Sequence, residues 1–466
     1  MSFASVLFAL FLPAVLLGDL LLQGRPRARK TFLLLASYVF YGSWDARFLL
    51  LIAFSTGVDW FVGGRLAEDR PDRERRRLLA LSLAANLGLL GVFKYCDWFL
   101  DSLNRLLALG GLGPLPLAHL ILPVGISFYT FQTLSYTIDL YRRRIRPARS
   151  LLDFALFVAF FPQLVAGPIV RASEFLPQLE RMRRPRPEDA ARGLYAVLAG
   201  LVLKIVVADT FGARAVDPYY ADVEAYGLLG SVLAHHFYAF QVYGDFAGYS
   251  LIAIGCARML GFRLPVNFRA PYAARSMAEL LRRWHISLTT WLRDYLYLPL
   301  GGSRGGPWRA ARNLSLTMFL GGLWHGAAWH FAVWGLFLGV VLVGSSLREA
   351  RSGPPRPGFL RAARDIFLTF HLWVLTGVWF RSPDAATAFR VYSTWTRLDG
   401  PLFEPWLLVM LAAVWAGHLA APRLHPWLEE RFVRAPAEVR GAVLVLVLGL
   451  LAAIQAGAQP FIYFQF

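Results

Sequence analysis

Three side chains stand where an ionisable group is costly, inside long apolar stretches, and each is for that reason a functional candidate. His325 lies in Gly321-Gly322-Leu323-Trp324-His325-Gly326, within a strongly apolar block. An imidazole can take a proton from a hydroxyl near neutral pH, and flanking glycines let another backbone or a substrate approach closely. The same ring could instead be a buried histidine bonded to a neighbouring carbonyl. His285, in Arg282-Arg283-Trp284-His285-Ile286-Ser287, is the second candidate, with an interfacial histidine hydrating its own tip as the alternative. Asp245, in Gly244-Asp245-Phe246-Ala247-Gly248, is the third. A buried carboxylate is expected to pair with an arginine or a histidine; it could orient an imidazole, but locking two helices is the favoured job. Trp324 and Arg283 are supporting or structural. Arg282, Arg283, Arg293 and Arg304 could hold phosphates by bidentate contacts, or simply anchor the chain at the interface. His235-His236 and His325…His330 lack the carboxylate partners of a zinc helix, so no metal is expected. Cys96 and Cys256 read as small packing residues.

The elements that position these groups must be membrane elements. Of the 466 residues, 57% are hydrophobic and 17% charged, against about 25% charged in soluble domains; mean hydropathy is +0.47. Apolar blocks run over Met1–Leu22, Thr31–Val62, Leu78–Phe99, Ala118–Ile138 and Ala190–Ala208, then Leu228–Leu260, Leu314–Val343, Ile366–Phe380, Trp406–Ala421 and Ala442–Ala458. At about 20 residues per crossing they predict roughly ten to twelve spans. The fold class is an all-α polytopic membrane protein, a single integral membrane domain over 1–466.

The net charge of +18 and pI near 10.3 would point to nucleic acid in a soluble chain; here they read as positive-inside loops, with no nucleic-acid partner. Basic clusters at Arg25–Lys30, Arg65–Arg77, Arg142–Arg149, Arg181–Arg192, Arg304–Arg312 and Arg348–Arg364 are expected in the cytoplasm, and the acidic loop Asp209–Tyr226 outside. The first block reads as a retained span with its N-terminus outside. Arg171–Arg192 and Arg351–Gly358 read as connectors, the first holding one short helix.

Two blocks fit spanning poorly. Leu151–Val170 has basic residues at both ends and contains Pro162, Gly167 and Pro168, which predicts a re-entrant hairpin enclosed by protein. Arg275–Leu300 repeats apolar residues at three- and four-residue steps, from Met277 and Leu280 through Trp284 and Leu288 to Trp291. That spacing predicts one amphipathic helix lying in the interface.

At this point longer motifs become visible. Asn267-Phe268-Arg269-Ala270-Pro271-Tyr272, Arg283-Trp284-His285-Ile286-Ser287-Leu288, Trp291-Leu292-Arg293-Asp294-Tyr295 and Gly322-Leu323-Trp324-His325-Gly326 resemble the core of bacterial membrane-bound O-acyltransferases, close to the alginate O-acetyltransferase type. Leu122-Pro123-Val124-Gly125 and Phe161-Pro162-Gln163-Leu164 add to the resemblance, which runs over nearly the whole chain. Gly244, Ala247 and Leu281 stand where alginate-type members usually carry Phe, Ser and an aromatic; both histidines are intact. The resemblance implies curved helices ringing a thin centre pierced by a tunnel, O-acyl transfer, His325 as catalytic residue and His285 as its companion. It further implies acetyl-CoA as cytoplasmic donor with no bound cofactor, a bacterial inner membrane, and an envelope polysaccharide acceptor reached through a periplasmic or extracellular GDSL-like partner.

Tyr463 carries the only hydroxyl in the apolar run Phe461-Ile462-Tyr463-Phe464-Gln465-Phe466. It could accept the acyl group and hand it on, or belong to an aromatic belt anchoring the last helix. Three other functions stand beside polysaccharide acetylation: D-alanyl transfer toward teichoic acid from a carrier protein, a polymer or lipid transporter, and a membrane scaffold for a synthase.

Overall fold

The computed structural model describes residues 1–352 and 358–454; the 353–357 part of the second connector, and Tyr463, lie outside the described residues. Among the described residues the chain is helical, with no strand, and six helical segments are long and apolar enough to cross a membrane: Pro26–Ala67, Asp72–Leu109, Pro187–Ala221, Trp329–Arg348, Pro405–Arg434 and Ala437–Ile454. The chain forms two compact units, one from residues 1–193 and 253–265, the other from 194–252 and 266–466.

In the first unit, helices Leu49–Ala67 and Asp72–Leu90 pack on Ile126–Tyr141, which is buried from Ile126 to Leu140 at every position but Ile138. One group of polar residues on these faces is satisfied internally, as a dry interior favours. The Ser82 hydroxyl donates to Asp59 Oδ1 (2.5 Å), Asn86 Nδ2 donates to Asp59 Oδ2 (2.9 Å), and the Ser55 hydroxyl donates to Asn86 Oδ1 (2.5 Å). The predicted hairpin is a nine-residue helix, Leu151–Ala159, followed by the four-residue Phe161–Leu164. Nine residues rise about 14 Å, less than half the hydrocarbon thickness, and 153–170 are wholly buried. The connector after it holds one short helix, Ala172–Arg181.

One basic cluster is not the loop the charge rule implies. Pro26 opens a helix at the position where its missing N–H costs nothing, and Arg29 is 2% exposed. Its guanidinium grips Asp19 through Nε (2.6 Å) and Nη2 (3.0 Å), and donates to the Leu260 and Arg183 carbonyls (2.7 and 3.1 Å). Arg29 ties chain segments together inside the protein.

In the second unit the predicted acidic loop is helical instead. A π-helical stretch Val202–Asp209 is followed by a second, Gly212–Val216, then by Asp217–Ala221. Backbone approach explains the geometry. This segment crosses the long helix Leu228–Met259 at glycines: a Cβ on Gly248 would sit 2.6 Å from the Gly200 carbonyl oxygen, and one on Gly244 would sit 2.8 Å from that of Leu203. Only glycine permits so close a crossing. The crossing brings Lys204 against Asp245, so the partner of Asp245 is a lysine and not the expected arginine or histidine. Lys204 Nζ lies 2.7 Å from Asp245 Oδ1 and 2.7 Å from Asp209 Oδ1, all three side chains being at most 12% exposed.

The predicted amphipathic helix over 275–300 is broken. Ser276 caps a first helix, Met277–Arg283, by accepting the Glu279 N–H (3.2 Å). Trp284 is extended and His285 takes a left-handed conformation (φ 42°, ψ 54°), which no helix can continue. A second helix, Ile286–Leu292, then leads into a π-helical turn, Arg293–Tyr297. The block around His325 is likewise two helices, Pro307–His325 and Trp329–Ser352, which cross where a Cβ on Gly322 would come 2.9 Å from the Gly335 Cα.

The shared lysine sets a testable asymmetry. Asp245→Asn leaves Lys204 neutralised by Asp209, and should keep folded yield and most activity. Lys204→Met leaves two buried carboxylates facing each other and should destabilise by about 3–5 kcal/mol. Thermal unfolding of the detergent-solubilised variants, followed by size-exclusion chromatography, reads the difference.

Candidate active site

His325 is the last residue of the Pro307–His325 helix. The chain turns away at Gly326 because its backbone is fully extended there (φ −157°, ψ 147°), so the imidazole stands at a helix end, not in mid-span. It is 9% exposed. Trp324, Trp334 and Phe380 enclose it nearly edge-on, with ring centroids 5.0, 5.3 and 5.3 Å away. One side remains open to a cavity of about 40 Å³ walled by Trp284, Trp334, Trp373 and Phe380, with His235, Tyr238 and Thr376 as the other polar-bearing side chains. No charged side chain is among the described residues that line it.

His285 is held differently. It is 1% exposed, and its left-handed backbone costs of order 1–3 kcal/mol for a residue with a Cβ. That conformation turns the side chain back over the start of the next helix, where Nδ1 accepts the Leu288 N–H (3.3 Å) and serves as the N-cap. With Nδ1 occupied as an acceptor, the proton of the neutral ring sits on Nε2, which is therefore a donor. Phe246 packs edge-on against the ring at 4.5 Å. Trp324 packs against both histidines, 6.2 Å from His285 and 5.0 Å from His325 by ring centroids. Trp284, adjacent to His285, lines the cavity that His325 borders, stacked on Tyr272 (5.9 Å) and packed on Trp373 (5.1 Å).

Three of the residues singled out from sequence thus come together: His325, His285 and Trp324. Asp245 serves the Lys204 cluster, one residue from the Phe246 that contacts His285. Arg283 is engaged locally, Nη2 to Glu279 Oε1 at 2.5 Å and Nη1 to the Ala270 carbonyl at 3.4 Å. Arg293 pairs with Asp294 (2.7 Å).

Sequence reasoning passed over His235, weighing it only as a metal ligand. It lines the same cavity as His325, 1% exposed. Its Nδ1 donates to the Ser231 carbonyl (2.7 Å), which leaves Nε2 to accept the Tyr220 hydroxyl (3.0 Å). Its signal was available: an ionisable ring within an apolar block. His418 was also missed; its Nε2 accepts the Tyr272 N–H (3.1 Å), which places Tyr272 beneath Trp284.

A helical membrane protein that gathers two buried imidazoles around one indole, beside an uncharged chamber, has the equipment of a proton-transfer enzyme working inside the bilayer. The sequence pattern of the MBOAT, membrane-bound O-acyltransferase family matches residues 67–380, which include all of these groups. The probable alginate O-acetylase AlgI of Pseudomonas aeruginosa is 42% identical over 396 residues, covering 84% of this chain and 74% of that protein. The peptidoglycan O-acetyltransferase of Helicobacter pylori is 35% identical over 421 residues (84% and 78%), and the teichoic acid D-alanyltransferase of Streptococcus thermophilus 29% over 234 residues (47% and 56%). The chain belongs to the membrane-bound O-acyltransferase family and is a membrane O-acyltransferase. The transporter and scaffold readings give way to it.

His285 is an N-cap and also a candidate catalytic ring, which makes a sharp mutational contrast. Asparagine tolerates the left-handed region and is a good N-cap, so His285→Asn should fold as the wild type does and lose only the imidazole, with weakened acyl transfer. His285→Ala forfeits the cap as well and should be less stable by about 1 kcal/mol. Parallel melting curves and transfer assays check both.

Proposed function

We propose that the protein passes an acetyl group from acetyl-CoA on the cytoplasmic side toward hydroxyls of an extracytoplasmic polysaccharide of the alginate kind, working from the bacterial inner membrane. The chamber beside His325 carries this reading. At about 40 Å³ the chamber is small and walled by aromatic rings, which suits a small uncharged acyl group. A D-alanyl group is larger and brings an ammonium, for which this aromatic lining offers no carboxylate among the described residues. The two acetyl-transferring relatives also match far more of the chain than the D-alanyl one.

The mechanism follows from the two rings. His325 acts as general base and removes the proton of the acceptor hydroxyl as its oxygen attacks the thioester carbonyl. The tetrahedral oxyanion is assigned a hydrogen bond from His285 Nε2–H; that ring is buried against Trp324 and is not among the residues lining the chamber, so Trp324 has to yield for the donor to reach the reacting carbon. Collapse of the intermediate breaks the C–S bond, and the departing thiolate recovers the proton from His325. The arginine-rich clusters favour approach of a polyphosphate donor, and a periplasmic or extracellular GDSL-like partner completes delivery to the polymer. Tyr463 is proposed as an intermediate acceptor: a phenol becomes a nucleophile once a base takes its proton, and its ester is a better acetyl donor than a sugar ester.

His325→Ala should reach the membrane in normal amount and lose transfer by about 100-fold or more. Ester-linked acetate released from envelope polysaccharide by mild alkali measures this, and full acetylation in that variant would remove the mechanism. Tyr463→Phe removes one hydroxyl and keeps the aromatic ring. It should abolish polymer acetylation while acetyl-CoA still binds; unchanged polymer acetate would leave the tyrosine as an anchor only.

A further inference from the structure

The left-handed turn at His285 does not hold itself. Asn267, 1% exposed, spans it with every polar atom it has on that side. Its main-chain carbonyl accepts the Ile286 N–H (2.9 Å). Its side-chain Oδ1 accepts both the Ser287 N–H (3.2 Å) and the Ser287 hydroxyl (2.6 Å). The orientation of the amide is settled by these two donors, since only oxygen can accept them. Nδ2 is then free to donate to the Ser250 hydroxyl (3.1 Å), on the Leu228–Met259 helix. Two residues on, the Arg269 N–H donates to the Arg283 carbonyl (3.0 Å), on the other side of the turn. The 267–269 segment thus grips the backbone before and after His285.

Ser250 and Phe246 are four residues apart on that long helix, one turn along the same face. The helix therefore meets His285 twice: Phe246 packs on its ring, and Ser250, through Asn267, holds the backbone that aims it. We infer that Asn267 is a positioning residue for acyl transfer, fixing the direction of His285 Nε2–H by tying its strained turn to the Leu228–Met259 helix. The inference rests on the reading of His285 as hydrogen-bond donor to the oxyanion.

Apolar replacement keeps the shape and removes the clamp. In membranes bearing the full-length protein, with acetyl-CoA as donor and free CoA as readout, Asn267→Leu should lower kcat by about 10- to 100-fold, the effect of a sub-ångström to ångström misplacement, with KM for acetyl-CoA nearly unchanged. A role confined to folding would lower the amount of active protein, and would act equally in any background. The positioning role acts through one imidazole, so the loss should largely vanish when Asn267→Leu is made in His285→Asn, a non-additivity that a double-mutant cycle measures. If Asn267→Leu does not accumulate, Ser287→Ala and Ser250→Ala each delete one bond of the clamp and carry the same cycle with smaller losses. Full kcat in a folded Asn267→Leu protein, or an undiminished loss in the His285→Asn background, overturns the proposal while the function stands. Normal transfer in His285→Asn alone overturns the role of His285, and the positioning inference with it.

Discussion

A polar group buried away from water in the bilayer must find its partner within the protein, because no solvent is there to supply one. This constraint organises both units. In the first it shows as the chain from Ser55 through Asn86 to Asp59 and Ser82, and as Arg29 divided between a carboxylate and two carbonyls. In the second it shows as Lys204 shared between two aspartates. The same constraint decides the state of two buried rings: the proton on His235 is assigned by the Ser231 carbonyl that its Nδ1 meets, and the proton on His285 by the Leu288 N–H that its Nδ1 accepts.

Close backbone approach is the second requirement. Where Gly244 and Gly248 meet 200–203, and where Gly322 meets Gly335, helices come near enough for carbonyl oxygens and Cα atoms to touch the partner backbone. Such crossings leave no slack for rotation about the helix axis. The first crossing fixes the register of Phe246 and Ser250, and the second fixes the helix end that carries His325. Aromatic rings fill the space that remains, which is why the chamber is small and its walls are tryptophan and phenylalanine.

Much of this was legible in the sequence. The helical membrane class followed from the apolar blocks, and the short broken element at 151–164 from Pro162 and the basic residues flanking it. The break at His285 was not legible, because the apolar spacing from Met277 to Trp291 continues in step across the turn and left-handed histidine leaves no compositional mark. Lys204 was hidden as a single charge in the long block 190–208, although an isolated lysine there already required a partner. Arg29 was hidden for the opposite reason: a charge rule that treats every arginine in a cluster alike cannot see the one whose helix face turns inward. The acidic stretch 209–226 was read by charge alone, and its π-helical turns depend on the tertiary crossing with the Leu228–Met259 helix.

The N-cap made by His285 reaches beyond local structure. Because Nδ1 accepts the Leu288 N–H, the imidazole is held in one orientation by the fold itself. In water, the dipoles that solvate a developing alkoxide must first reorient, and that reorganisation is a large share of the barrier. The ring of His285 was oriented when the chain folded, so any hydrogen bond that its Nε2–H gives needs no such reorientation, and the strained turn is where that cost was met.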